Sequence, residues 1–318
     1  MEEALVCLTR LRVGHSRGRP APNKPCLLLA IICEIQAGHI TSPRVTIDDR
    51  LIARYHDLYE LAAGKRQDAR PWLPLWFLAS DMGPDGEGGT LWQPELPAAL
   101  NEIIDQLGAP KSLDQLRKRF TAARLHPALQ ERLEQESSAR EAAALIITRH
   151  FSYSAELLER LHDYLEQAFA SGAYEKAPEQ LKGPAKNSPQ QARARSAAFR
   201  SLVLEAYDYR CAASRLRYIT PDYRYLVEAA HLVPFAESQD DRPTNGLALT
   251  PNLHWAMDNH LVAPGPDHRW HVSPAVDALV PDNRWLCELD GQPLVLPREA
   301  RWQPDRDALA WRLDHLQR

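Results

Sequence analysis

The chain has 318 residues, with 38 Lys and Arg against 42 Asp and Glu, a formal net charge of −4 and 44% hydrophobic residues. This is ordinary globular composition with length for about two domains. It argues against a histone-like, purely electrostatic nucleic-acid coat, whose domain pI would lie above about 9, but a global sum hides local patches and leaves DNA binding open. The five cysteines, Cys7, Cys26, Cys33, Cys211 and Cys287, are scattered and contain no C-x-x-C pair. Neither a disulfide framework nor a Cys-rich zinc finger is supported, and a reduced cytoplasmic setting is expected. Met1-Glu2-Glu3 lacks the basic start of a signal peptide. The longest apolar run, Cys26 to Cys33, is about half a membrane span and reads as a buried helix.

In chain order, residues 3–12 read as a short amphipathic helix, followed by a basic, Pro-rich loop from Arg17 to Pro25. Pro25 suits a helix start, and the apolar helix to Ile35 ends at Gly38. Val45-Thr-Ile47 is extended. Asp48 caps a helix carrying Leu51, Ile52, Tyr55, Leu58 and Tyr59 at helical spacing. Trp72-Leu-Pro-Leu-Trp-Phe-Leu78 follows, then a Gly-rich turn over Asp81–Gly89 and a strand at Thr90–Trp92. From Ser112 to Phe169 the pattern is helical throughout, with Leu116, Phe120, Leu125, Leu129 and Leu133 on one stripe.

Residues 171–192 lose apolar periodicity and gain Pro and Gly, which marks a linker between a domain at 1–170 and one at 193–318. Lys176, Lys182, Lys186, Arg193, Arg195 and Arg200 make this stretch basic. It is either a solvated linker or an arm that contacts phosphates. A helix is expected over about Arg193–Tyr209, then short strands, then a tail rich in Pro and Trp. No phosphate-binding or dinucleotide-binding Gly motif is present, which argues against nucleotide-driven chemistry.

The chemistry concentrates in Glu228-Ala-Ala-His231, Asn245-Gly246 and His254-Trp-Ala-Met-Asp258. A His on an apolar strand, or a His–Asp pair at i, i+4, is alone usually structural. Together they bring a neutral base, of unperturbed pKa near 6.5, to an imidazole–carboxylate face suited to a divalent cation. Phosphodiester hydrolysis needs both.

These residues, with the stretches EAAHLVPF, DDRPTNGLAL and LHWAMD and the upstream FRSLVLEAYDYRCAAS, resemble the HNH endonucleases. The resemblance covers about 193–275. It implies a ββα-metal fold with one divalent ion, Mg²⁺ or Mn²⁺. By position it makes His231 the general base, Asn245 the residue that holds the loop and orients His231, and His254 and Asp258 the metal ligands. Where many relatives carry a metal-binding residue just before the catalytic His, this chain has Ala230, and Glu228 lies on the same strand face. Cys211 has no paired cysteine, so no structural zinc is expected. His260 stands where relatives often have Gly.

The N-terminal motifs, Arg19-Pro-Ala-Pro-Asn-Lys-Pro25 with the three leucines after Cys26, Leu73-Pro-Leu-Trp-Phe-Leu78 and Trp92, resemble the sulfur-binding domain of McrA-like restriction enzymes. That resemblance implies recognition of phosphorothioate DNA through an apolar notch at Pro74 and Trp76, with Arg17, Arg19, Lys24 and Arg70 on phosphates. Phe77 stands where the resembled motif is often small. The whole then reads as an α+β protein: a mostly helical DNA-reading domain and a C-terminal HNH nuclease, acting on double-stranded DNA as a homodimer. The alternatives are an HNH nuclease that reads a modified base such as methylcytosine, and a DNA-binding regulator with a degenerate nuclease fold.

Overall fold

The computed structural model describes residues 3–16, 18–103, 106–184 and 188–317. Arg17, expected on DNA phosphates, and Lys186, of the basic stretch, lie outside the described residues. The chain divides into two compact units: Met1–Gly172 with Pro221–Tyr223, and Ala173–Thr220 with Arg224–Arg318. The fold is α+β, with helices around small antiparallel sheets. Among the described residues no helix is long and apolar enough to cross a membrane.

The first unit is built around one buried helix. A 3₁₀ turn at Glu3–Thr9 and a two-residue hairpin, β1 (His15–Ser16) with β2 (Arg19–Pro20), lead into α1 (Asn23–Gln36). Every residue of α1 from Lys24 to Gln36 is buried, so this helix has no polar face to show. The chain leaves it through Gly38, whose φ of 80° suits a residue without Cβ. Then come β3 (Arg44–Thr46), α2 (Asp49–Ala63) and α3 (Trp72–Phe77). The Asp48 carboxylate accepts the Leu51 N–H at 2.9 Å and caps α2 as the sequence implies. The Gly-rich turn is a hairpin, β4 (Met82–Gly83) with β5 (Gly86–Thr90). Next are β6 (Trp92–Pro94), α4 (Ala98–Asn101), α5 (Leu113–Arg117), β7 (Ala122–Leu125), α6 (Pro127–Glu134), α7 (Glu136–Phe151) and α8 (Ala155–Lys176).

Two expectations are corrected here. The stretch from Ser112 to Phe169 is not helical throughout. Ala122–Leu125 is the central strand of a three-stranded antiparallel sheet, β3-β7-β6. Its apolar residues satisfy a strand as well as a helix, and pairing on both edges decides between them. The supposed linker at 171–192 is largely structured: α8 runs to Lys176, and Leu181 in the following 3₁₀ turn is fully buried. The Pro and Gly residues mark breaks between short elements, not a solvated tether.

The second unit, after the end of α8 and the 3₁₀ turn at Pro178–Leu181, has α9 (Pro189–Ala206), capped by the Ser188 hydroxyl on the Gln191 N–H. It continues with β8 (Glu228–His231), α10 (Phe235–Ser238), β9 (Gly246–Leu249), α11 (Pro251–Asp258), β10 (Val262–Pro264), β11 (Trp270–Val272), α12 (Arg284–Cys287) and α13 (Arg306–Asp314). Strands β8 and β9 pair antiparallel with His231 opposite Gly246. Phe199, Val203, Leu247, Leu249, Met257 and Trp270 share its core.

Candidate active site

His231 ends β8, and the chain then makes a long excursion through α10 before returning as β9. Asn245 closes that excursion. Its Oδ1 accepts the Val233 N–H at 3.0 Å, and its Nδ2 donates to the carbonyls of Val233 and Asp240 at 2.9 Å each. A buried amide that bonds backbone at both ends of a loop fixes the loop's shape. Asn245 thus holds the loop, but no bond reaches the His231 ring. Gly246 is not a left-handed turn residue: its φ is −135°. A Cβ there would lie 2.5 Å from Val203 Cγ2 and 2.7 Å from Phe199 Cε2. The glycine lets β9 cross α9 closely.

The His231 ring is oriented instead by Asp241, which sequence reasoning missed. Nε2 lies 3.0 Å from Asp241 Oδ1. The ring stacks on Phe199 at 3.9 Å between centroids and 8° between planes. Asp241 is 6% exposed and its Oδ2 accepts from Arg195 Nε at 3.2 Å. Arg195, expected among the basic linker residues, is buried and also bonds the carbonyls of Gly183 and Leu181. It is a structural cation.

Helix α11 puts His254 and Asp258 on one face, as the i, i+4 spacing implies: Nε2 to Oδ2 is 3.3 Å. Strand β8 brings Glu228 to the other ring nitrogen, Nδ1 to Oε2 3.0 Å. Among the described residues no group of three or more His, Cys, Asp or Glu forms a ready metal cage. The donor set still fits a hard or borderline divalent cation. His254 can give an ion one nitrogen while the other donates to a carboxylate, the usual outer partner of a metal-bound His. The fit is therefore two protein ligands, with water or phosphate oxygens completing the shell.

Residues 211–263 match the family model described as HNH endonuclease. This segment is an HNH endonuclease domain. Cys211, where the matched HNH segment begins, is buried, and its Sγ accepts the Ser214 N–H at 3.4 Å. Two solved structures are similar to the chain. One is a modification-dependent TagI restriction endonuclease, 20% identical, with 38% of each chain covered and a TM-score of 0.30; the chain spans 38% of that protein's length. The other is the type IV phosphorothioation-dependent restriction endonuclease ScoMcrA, 15% identical over 80% of this chain and 94% of that one, with a TM-score of 0.32. No curated protein matches the chain.

Outside the HNH domain, the first unit holds a cavity of about 300 Å³ walled by Val13, Ala21, Leu73, Pro74 and Phe77, with Arg12, Asn23 and Lys24 also lining it. Pro74 is where the notch was expected. Phe77, 45% exposed, forms part of the wall and leaves the cavity open. Trp76 is not among the lining residues. It packs against Phe120 at 6.4 Å under the Arg119 guanidinium, at the edge of the core. The Lys24 ammonium is paired with Asp81. Arg19 is exposed, its guanidinium over the Tyr153 ring at 5.0 Å, and Arg70 is exposed. Arg12 and Asn23, at the cavity mouth, were not singled out from sequence. Asn23 lies inside the Arg19–Pro25 motif without standing out there, Arg12 lies in no motif, and only the fold brings residues 12, 23 and 74 together.

Proposed function

We propose that the chain is a modification-dependent endodeoxyribonuclease whose first unit binds phosphorothioate DNA and whose HNH domain cuts it. The observation that carries the cutting reaction is His231, a partly exposed imidazole held by a buried carboxylate within an HNH domain. The water oxygen bonds to phosphorus, its proton goes to His231, and the P–O ester bond breaks. His254 and Asp258 would hold one Mg²⁺ or Mn²⁺, with Glu228 accepting from His254 Nδ1. Such an ion supplies charge stabilisation to the phosphate and the leaving oxygen.

The apolar cavity supports the sulfur reading. Sulfur in place of a phosphate oxygen is larger, more polarizable and poorly hydrated. An apolar wall of Pro74, Leu73 and Phe77 beside the Arg12 and Asn23 donors suits it better than an ordinary phosphate. Arg19 and Arg70 are exposed cations free to position the backbone, a role that carries no sequence information. With one active site per chain, cutting both strands calls for a homodimer. The test is binding and cleavage of matched duplexes carrying phosphorothioate, methylcytosine or no modification, with Mg²⁺ or Mn²⁺. Preference for phosphorothioate supports the reading. Preference for methylcytosine transfers the cavity to a modified base, and equal cutting of all three removes the reader role.

A further inference from the structure

We propose that Asp241 is the positioning residue of the catalytic base, fixing the tautomer of His231. This rests on the reading of His231 as general base. A carboxylate only accepts hydrogen bonds. The 3.0 Å contact with Oδ1 therefore places the imidazole proton on Nε2. In neutral His231 the lone pair is then on Nδ1, to which no described residue donates or from which none accepts. Nδ1 takes the proton of the attacking water, and the imidazolium that forms faces a carboxylate already in place.

Three features hold Asp241 for this task. Its second oxygen is engaged by Arg195, itself 3% exposed, so the carboxylate is charge-balanced and cannot swing toward solvent. Its backbone N–H donates to the Leu181 carbonyl at 2.9 Å. Phe199 covers one face of the His231 ring and leaves rotation in the plane of the stack to be fixed by the Nε2 bond. The loop that delivers Asp241 is the one Asn245 ties at Val233 and Asp240. Asn245 thus acts on the base through Asp241, its neighbour in the tied loop, and not by touching the ring.

The experiment compares Asp241→Asn, His231→Ala and the unaltered full-length protein on the cleaved duplex, with kcat and KM measured separately. Loss of the carboxylate is expected to lower kcat about 10²- to 10⁴-fold with KM unchanged within about two-fold, since the group acts only on proton transfer. In ¹⁵N-histidine spectra His231 of the unaltered protein is expected as the Nε2–H form, and Asp241→Asn is expected to move it toward Nδ1–H. A kcat within three-fold of the unaltered protein, alongside an inactive His231→Ala, overturns the inference while leaving His231 as the base. Cutting by His231→Ala overturns the reading beneath it. If Asp241→Asn does not fold, the tautomer of the unaltered protein decides: an Nδ1–H ring overturns the inference.

Discussion

Lys24 and Asp81 form a buried ion pair at the edge of the N-terminal cavity, with Nζ 2.5 Å from Oδ2. The other Asp81 oxygen accepts the Arg12 N–H at 2.7 Å. The ammonium expected on a DNA phosphate is therefore committed within the protein, and one carboxylate ties α1 to the segment carrying Arg12. Lys24→Ala leaves Asp81 charged, 2% exposed and without its cation. The expected cost is about 3–5 kcal/mol, read as a fall in the urea midpoint of unfolding. A Lys24→Met, Asp81→Leu pair is expected to recover much of it. If Lys24→Ala weakens DNA binding with the urea midpoint unmoved, the lysine is a phosphate contact after all.

Glu34 and His56, in the same unit, shape its response to acid. Glu34 is buried, which alone would raise its carboxyl pKa, but Arg54 and His39 outweigh burial and hold it at about 2. It stabilises the fold fully above about 4.5, and that contribution is lost as pH falls towards 2. His56 is pushed down to about 4 by burial and by the nearby Arg66 charge. The unfolded chain takes up that proton near 6.5, so stability falls between about 6.5 and 4 and is unaffected above. Unfolding midpoints measured from pH 8 to 3 are expected to decline in those two windows. His56→Gln is expected to shrink the first decline and spare the second, with buried His150, whose pKa burial also lowers, supplying the remainder; a first decline unchanged in His56→Gln excludes His56 as a source.

Much of the second unit was legible in the sequence because its chemistry is local. His254 and Asp258 lie one helical turn apart, and Glu228 and His231 sit on one short strand. Periodicity fixes such relationships. The tie from Asp241 to Arg195 joins residues 46 apart in sequence, and no pattern announces it. In the first unit, Ala122–Leu125 was read as helix because short apolar runs obey both periods, and only pairing with β3 and β6 resolves them. The cavity gathers residues 12 to 80, so Pro74 was visible as part of a motif while Arg12 was not.

Asn245 tests how far the loop matters apart from the base. Asn245→Ala removes three bonds to backbone groups of a buried loop end. The Val233 N–H and the Asp240 carbonyl lose their partner and the Val233 carbonyl keeps only the Ser238 hydroxyl, at about 2–3 kcal/mol in total since such costs do not simply add. Cleavage is expected to fall at least 100-fold, of the order that proton-transfer catalysis provides. Asn245→Asp, which sets an acceptor-only carboxylate oxygen against the Val233 and Asp240 carbonyls, is expected to do no better than Asn245→Ala. Full activity in Asn245→Ala at a temperature where it remains folded excludes the loop as the device that places Asp241.

The two carboxylates on His254 are separable by titrating cleavage against Mg²⁺ or Mn²⁺. On the proposed reading Nε2 and Asp258 would hold the ion, so that Asp258→Asn would remove a ligand and Glu228→Gln an outer partner. Outer-partner loss typically costs 10- to 100-fold in metal affinity, so the half-saturating metal concentration is expected to rise by about that factor in Glu228→Gln and further in Asp258→Asn. The reverse order places the ion on the Nδ1 side, with Glu228 as its ligand.

Arg312 joins the end of β8 to α11 from α13, which lies outside the matched HNH segment. Its guanidinium is 1% exposed and donates to the carbonyls of Leu232 at 2.6 Å, His231 at 2.9 Å and Met257 at 3.1 Å. The first two lie at the end of β8, which carries His231, and the third precedes Asp258 on α11. Burial lowers its pKa, opposed by Asp258 and Glu237. Removing it takes the guanidinium from the buried Leu232 and His231 carbonyls and leaves the Met257 carbonyl with the His260 N–H at 3.0 Å, and charge-assisted bonds are worth about 1.5–3 kcal/mol each before their interdependence is counted. Arg312→Ala is therefore expected to destabilise the second unit by about 3–4 kcal/mol, read from tryptophan fluorescence in urea. Arg312→Lys cannot present a three-way fork and is expected to recover less than half. A loss under about 1 kcal/mol in Arg312→Ala would mean that β8 and α11 hold their relative position without α13.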